Sequence, residues 1–369
     1  MSRATCSHCP CTRTLRSRMS TGSATSSCPV PGARRVPVEE QAKTATMQTP
    51  MVSVIVPVFN QRDYVERCLR SIASQRCDFP IEVIVGDDLS TDGTRDVLRS
   101  LEPELPDWFH ILLRPKNMGL RGENNCNDLL HRCRGRYMAI LEGDDFWTYD
   151  GKLQAQVDFL ESHPDYSACY HHCVVVGADS KPNGEKYPEC PKEEYTFKEF
   201  FYMSLPGQIG TSLYRREPYL KAREDITRMK LYDSYPGDRR NAFFILTIGR
   251  VRCMNQTWSA YRHVVKGGSS YSSNVRIDED YARQELLFGK TIINFAESRH
   301  NVEAIHAAKM TYYRTLLKWS VGKVRCSTMR EALSELMGEK SHRLAYLTSP
   351  LRWYLVLGSR MLRGRGVTL

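Results

Sequence analysis

Tyr137-Met138-Ala139-Ile140-Leu141-Glu142-Gly143-Asp144-Asp145-Phe146-Trp147 decides the fold. Its first five residues form an unbroken apolar run, the pattern of a strand buried on both faces of a parallel sheet. Two adjacent carboxylates at the exposed end of such a strand have no place in a core. They suit a hard divalent cation, Mg²⁺ or Mn²⁺, which in turn attracts a phosphate-rich substrate. A second acidic pair, Asp87-Asp88, closes another apolar run, Ile81–Val85. Two strands delivering carboxylates to one sheet edge predict a nucleotide–metal site, because ligands of open α/β sheets bind beyond the carboxyl ends of the strands.

Upstream, Val52–Asn60 is a β-branched strand running into a polar turn, and Tyr64, Val65, Cys68, Leu69 and Ile72 carry helical spacing. Leu89–Thr94 is a turn rich in capping residues, followed by a helix near 94–101. A short strand at Ile111–Leu113 and a helix at Asn124–Cys133 lead back to the acidic motif. Alternation at this spacing implies a parallel sheet covered on both faces. Downstream, the pattern predicts a helix around Leu153, Val157 and Leu160 and a strand over Ser167–Val176. A loop over 177–200, a strand at Thr211–Tyr214, a helix over 239–248 and mainly helix from about 278 follow. His171-His172 beside Cys169 and Cys173 looks like a ligand cluster. Neighbours on a strand face opposite ways, so a mixed core-and-surface strand is the expectation.

The formal charge of +10 sits at the two ends. Residues 1–50 carry seven Lys/Arg against two Glu, and 343–369 carry five Arg and no acid, which leaves 51–342 neutral. The body therefore gives nucleic-acid binding no support. No apolar stretch reaches a membrane span, no secretory h-region opens the chain, and nine of the thirteen cysteines lie scattered through the body without metal spacing, so the thiols read as reduced. A cytoplasmic protein is expected. Residues 1–50 read as a disordered extension, in which Cys6-Ser7-His8-Cys9-Pro10-Cys11 lacks the second pair that a zinc site needs. A start at Met47 or Met51 would fall just before the first strand.

With these residues in place, the chain resembles the family 2 glycosyltransferases of GT-A fold. The match runs through Val52–Asn60, Val85–Thr94 and Asn117-x-Gly119. It continues through Gly135-Arg136-Tyr137 and Leu141–Trp147 to Lys152-Leu153 and Gln156. It thins downstream to Thr211-Ser212, Gly237-Asp238, Tyr261-Arg262-His263 and Gly267-Gly268-Ser269, and nothing is recognised after about 300. The resemblance implies a Rossmann-like, mostly parallel sheet with helices on both faces in a domain over 51–275, then a helical region over 276–369. It also implies transfer of one sugar from a nucleoside-diphosphate sugar, UDP- or dTDP-type, to an acceptor hydroxyl with inversion. A glycan or lipid-linked acceptor of cell-surface polysaccharide or lipopolysaccharide synthesis is the matching partner. A non-catalytic nucleotide-sugar-binding protein of the same fold is the other reading.

Residue by residue, the resemblance places Pro57, Phe59 and Asn60 along the base, and Asp88 as acceptor from a uracil- or thymine-like edge. Asn117 and Gly119 would line the nucleotide, Asp144 would sit by ribose and metal, and Asp145 would ligate the metal. Asp238 would be the general base with Asp233 next in line, Arg262 would hold the pyrophosphate, and His263 would be an extra metal ligand. Glu142 stands where many relatives have Asp. Ser349-Pro350-Leu351-Arg352-Trp353 is faintly similar to a motif of processive synthases but lacks its Gln. The tail Leu351–Arg365, apolar and Arg-rich without acids, predicts peripheral contact with the inner face of a membrane.

Overall fold

The computed structural model describes residues 49–233, 235–264, 276–321, 327–339, 342–352 and 355. The readings of 1–48, of Gly267-Gly268-Ser269 and of most of the tail beyond Arg352 lie outside them. Among the described residues, nine strands form one sheet ordered β3-β2-β1-β4-β8-β6-β9-β5, with β7 also on β9. The strands are β1 (Val52–Val58), β2 (Ile81–Asp87), β3 (Phe109–Leu113), β4 (Tyr137–Ile140), β5 (Phe146–Trp147), β6 (Tyr166–Val176), β7 (Glu194–Tyr195), β8 (Leu213–Arg215) and β9 (Arg250–Arg262). β3, β2, β1 and β4 run parallel, as does β6 with β9, while β8 is antiparallel to both its neighbours. The result is an α/β fold with a mostly parallel sheet.

The apolar run of β1 is what two covered faces require. Val52, Val54 and Val56 pack with Val65, Leu69 and Ile72 of α1 (Val65–Ala73) and with Leu98 of α2 (Thr94–Leu101). Ile55 faces the other way, onto Leu129 and Leu130 of α3 (Glu123–Arg132). Order 3-2-1-4 reverses at β1/β4, so a crevice opens beyond their carboxyl ends. At the opposite end, Ser53 donates to Glu82 at 2.5 Å and accepts from the Gly135 N–H at 2.7 Å, and Arg134 pairs with Glu82. A side chain at Gly135 would sit 2.5 Å from the Ser53 nitrogen, so only glycine fits there.

Several expectations need correction. The loop over 177–200 contains β7 and the start of α5 (Phe197–Phe201). The strand expected at Thr211–Tyr214 is a 3-10 turn over Ile209–Thr211 followed by β8. Helix α6 (Arg216–Arg228) and all of β9 carry no expectation, and β9 is the longest strand. Its burial pattern breaks at the exposed Asn255-Gln256-Thr257, opposite a register shift at His171/His172, so period-two reading fails there. The histidine pair does alternate: His171 is buried, and His172 reaches Glu189 at 2.9 Å.

α4 (Lys152–Ser162) and α7 (Gly237–Phe244) cover the sheet beside the crevice, and helices α8 (Glu279–Ser298) and α9 (Val302–Val321) pack behind. Phe288, Ile292 and Phe295 share one core with Phe243 and Phe244 of α7, and Trp319 donates to Glu285 at 2.8 Å. No helix among the described residues is long and apolar enough to cross a membrane.

Candidate functional site

Asp88 follows β2 and extends the ladder by donating its N–H to the Val58 carbonyl at 2.9 Å. One carboxylate oxygen accepts the Met118 N–H at 2.7 Å, and its carbonyl accepts from the Asn117 amide at 2.9 Å. Asn117 also accepts from the Gly119 N–H at 2.9 Å, and Gly119 has φ +80°, a conformation natural to glycine. The segment 117–119 is thus folded onto Asp88. Asn60, at φ 53°, donates its N–H to Ser90 at 2.9 Å and accepts from Thr91 at 2.8 Å. Pro57 lies at the end of β1, and the Phe59 ring stands 42% exposed beside it. The expected base-side residues therefore gather at one sheet edge.

Beyond β4 the chain turns sharply, with the Gly143 N–H on the Pro57 carbonyl at 3.2 Å and the Asp145 N–H on the Glu142 carbonyl at 3.0 Å. The turn places Glu142 and Asp144 toward the cleft and Asp145 inward. Asp145 is 2% exposed, and both its oxygens are taken: Gln208 donates at 2.8 Å and the Arg262 N–H at 2.7 Å. Asp144 is half-buried. Of the pair, Asp144 is the carboxylate open to a ligand, and Asp145 fixes the turn.

Asp238 enters from the first turn of α7. Burial, then the charges of Asp144 and Asp238, push the Glu142 carboxyl up. Burial also raises Asp144, against the pull of Arg262 and Gln61, and raises Asp145 with help from Asp144 and Glu142. Burial raises Asp238 too, opposed by a hydrogen bond from Tyr187 and by Arg239 and Arg240. Glu142 and Asp238 keep exposed faces; water reaching them screens their repulsion more than it does for Asp145. A shallow pocket between Pro206-Gly207, Ile209 and Asn241, floored by Tyr170, opens beside Asp238. Asp233 is exposed and hydrogen-bonded through its N–H to Gln284 at 2.7 Å, on the side of α8.

Such crowded carboxylates, all pushed toward the protonated form, fit a hard divalent cation. Among the described residues no three His, Cys, Asp or Glu stand together as a self-sufficient metal site. A cation here would draw on Asp144 and on phosphate oxygens of a substrate.

Two expected roles change, that of Asp145, whose oxygens are both taken, and that of Arg262. Arg262 ends β9 and spends its guanidinium internally: on the Asp144 carbonyl at 2.9 Å, Gly177 at 2.6 Å, Ala178 at 3.2 Å and the Ser180 hydroxyl at 2.8 Å, stacked 3.9 Å over Tyr64. It clamps the acidic turn to the 177–180 segment, which leaves it no fork to offer a pyrophosphate. His263 holds Glu185 at 2.6 Å through Nδ1 and stacks on Tyr261. Gln208, Gln61, Tyr187 and Glu185 escape the sequence reading. Only Gln208 leaves a trace, in its position three residues before Thr211-Ser212.

The sheet order, the antiparallel β8 inserted among parallel strands and the acidic turn beyond β4 define a GT-A-like α/β protein. Residues 53–221 match the family model Glycosyl transferase family 2. An uncharacterized protein of Mycobacterium tuberculosis is 29% identical over 221 residues, covering 58% of this chain and 60% of its own length. The chain thus spans less than two thirds of that relative. TuaG of Bacillus subtilis, provisionally assigned as a teichuronic acid biosynthesis glycosyltransferase, is 28% identical over 231 residues, 58% of this chain and 88% of its own. The Escherichia coli UDP-Glc:alpha-D-GlcNAc-diphosphoundecaprenol beta-1,3-glucosyltransferase WfaP is 32% identical over 139 residues, 36% of this chain and 52% of its own. Among solved structures, S. aureus TarS in complex with UDP-GlcNAc superposes with a TM-score of 0.56 at 19% identity, over 86% of this chain and 93% of that one. At that identity the likeness establishes the fold.

Proposed function

We propose that the protein is a family 2 glycosyltransferase. In this reading it moves one sugar from a UDP- or dTDP-type donor to an acceptor hydroxyl, with inversion, in cell-surface glycan synthesis. The acidic turn and Asp88, each hydrogen-bonded to the end of β1, with Asp144 and Asp238 both charged against Glu142, carry the reading. TarS binds UDP-GlcNAc, and WfaP acts on a diphosphoundecaprenol-linked acceptor; both support a uridine donor and a lipid-linked glycan acceptor here.

Asp88 accepts the N–H of a uracil or thymine on the oxygen that Met118 leaves, which a carboxylate can do and an apolar residue cannot. Phe59 offers its exposed ring to the base. Asp144 holds Mg²⁺ or Mn²⁺, with His263 a candidate further ligand, because a carboxylate on Nδ1 is how ligating histidines are commonly oriented. When bound, the cation neutralises the diphosphate and eases its departure. Asp238 takes the acceptor proton as the hydroxyl oxygen bonds to the anomeric carbon and the bond to the diphosphate breaks on the opposite face. The burial that raises Asp238 makes it a stronger base.

Titrating purified protein with UDP-, dTDP- and GDP-sugars, with and without Mn²⁺, tests the reading. Metal-dependent binding of one donor class, lost in Asp144→Ala, is the expected result. No donor binding or hydrolysis with any divalent metal would overturn it.

A further inference from the structure

The last helical segment presents an apolar stripe to solvent. It comprises Arg343–Leu347 and, after a turn at Thr348, the helical residues 349–352. Leu344 is 75% exposed, Leu351 62% and Leu355 66%, with Leu347 beside them. At about 100° per residue Leu344, Leu347 and Leu351 fall within an arc of roughly 60°. Arg343 flanks one side of that arc and Arg352 the other. The opposite side of the helix is anchored: Tyr346 and Ser349 are buried, and Tyr346 packs 5.1 Å from Tyr313 of α9. Met337, 63% exposed on the preceding helix, adjoins Arg343 at 2.9 Å and widens the patch.

A soluble surface does not gather exposed leucines in one line without a use for them. We infer that this face is a docking surface for an anionic membrane: the leucines enter the acyl boundary and the arginines meet the lipid headgroups. Charge selects this occupant. After Glu339 the sequence has no acid and six Lys/Arg, at 340, 343, 352, 360, 363 and 365. A second copy pairing through the same stripe would set Arg343 and Arg352 against arginines, while Glu335 and Glu339 of the preceding helix are already engaged by Lys290 and Lys309. Lipid phosphates satisfy both features at once. The surface stands apart from the sugar-transfer reading, and it extends onto a folded helix that the tail sequence alone did not single out.

Flotation of the full chain with phosphatidylcholine vesicles, with and without phosphatidylglycerol, tests the inference. The wild type should float with the anionic vesicles and far less with the neutral ones. Leu344→Ser with Leu351→Ser should lower the bound fraction by about tenfold per leucine. Arg343→Glu with Arg352→Glu should lower it by at least about fivefold per arginine and erase the anionic preference. Leu344, Leu351 and Arg352 are exposed and Arg343 is half-buried beside Met337, so melting temperatures should stay near the wild type and separate lost docking from lost folding. A wild type that stays at the bottom of the gradient overturns the inference. So does equal flotation of the leucine variant, or a leucine variant that turns a dimer into a monomer while binding vesicles as before.

Discussion

Lys152 is fully buried, and its ammonium has one hydrogen bond, to the Ser212 carbonyl at 3.3 Å, with the Trp147 ring 4.2 Å below it. Burial drags its pKa from 10.5 down to about 7. At about 1.4 kcal/mol per pH unit, keeping this charge buried below neutral pH costs at most about 5 kcal/mol. Lys152→Met keeps the stem and removes the charge. It also forfeits the cation–π contact, about 0.5–2 kcal/mol, and leaves the Ser212 carbonyl unpaired, about 1–3 kcal/mol. The sign of the net effect depends on pH. Because the folded pKa is depressed, the unfolded chain binds more protons between about 7 and 10.5, so wild-type stability rises with pH across that window. The variant lacks this rise. Below about pH 7 it should be the more stable protein by about 1–3 kcal/mol, and near pH 10 the less stable by a similar amount. Urea midpoints of both proteins at the two pH values measure the crossover, and their difference cancels other titrating groups. A parallel pair of pH profiles, or a variant weaker at both ends, would show that Lys152 is not held as a costly charge.

Asp238→Asn should cut sugar transfer by roughly 10²–10⁴-fold while donor affinity by calorimetry stays near wild type; unchanged turnover would move the base elsewhere. In the wild type, transfer should fall on acidification through the raised Asp238 pKa, and initial rates against pH read this directly. Gln208→Ala removes the donor on the buried Asp145 oxygen and should cost about 1.5–3 kcal/mol in urea unfolding. Gly135→Ala drives a methyl against the Ser53 backbone and should cost about 1–3 kcal/mol; no change in midpoint would mean the two strands separate there without penalty.

The first half of the fold is legible because β1, β2 and β4 are buried on both faces and the helices each carry an apolar stripe. Val52–Val58 and Thr94–Leu101 match expectation to within two residues for that reason. β9 is not legible: its exposed Asn255–Thr257 and flanking arginines read as loop, and its strand character comes from pairing with β6. The same non-locality hides half of the site. Asp88 and Asp144 are visible because they sit where strands end, and Asn117 and Gly119 through the family resemblance. Gln208 is not, and neither is the clamping role of Arg262, since their partner Asp145 lies 63 and 117 residues away in sequence.

That distance bears on what a sequence motif means. In Glu142–Trp147 and the following Lys152 and Gln156, only Glu142 and Asp144 face the cleft. Trp147 donates to the Gly210 carbonyl at 2.7 Å, Gln156 to Thr211 at 2.9 Å, and Lys152 to Ser212. Three side chains from one side of the fold thus grip three successive carbonyls of the 210–212 turn. Gln208, at the start of that turn, in turn holds Asp145. Arg262 closes the arrangement from β9, with its N–H on Asp145 and its guanidinium on the Asp144 carbonyl. Most of the motif thus positions a single carboxylate. A cation shared with a diphosphate, as proposed here, would demand this, because a ligand displaced by even about 1 Å forfeits much of the catalytic advantage. Buried, fully hydrogen-bonded side chains hold such a position where an exposed loop would not.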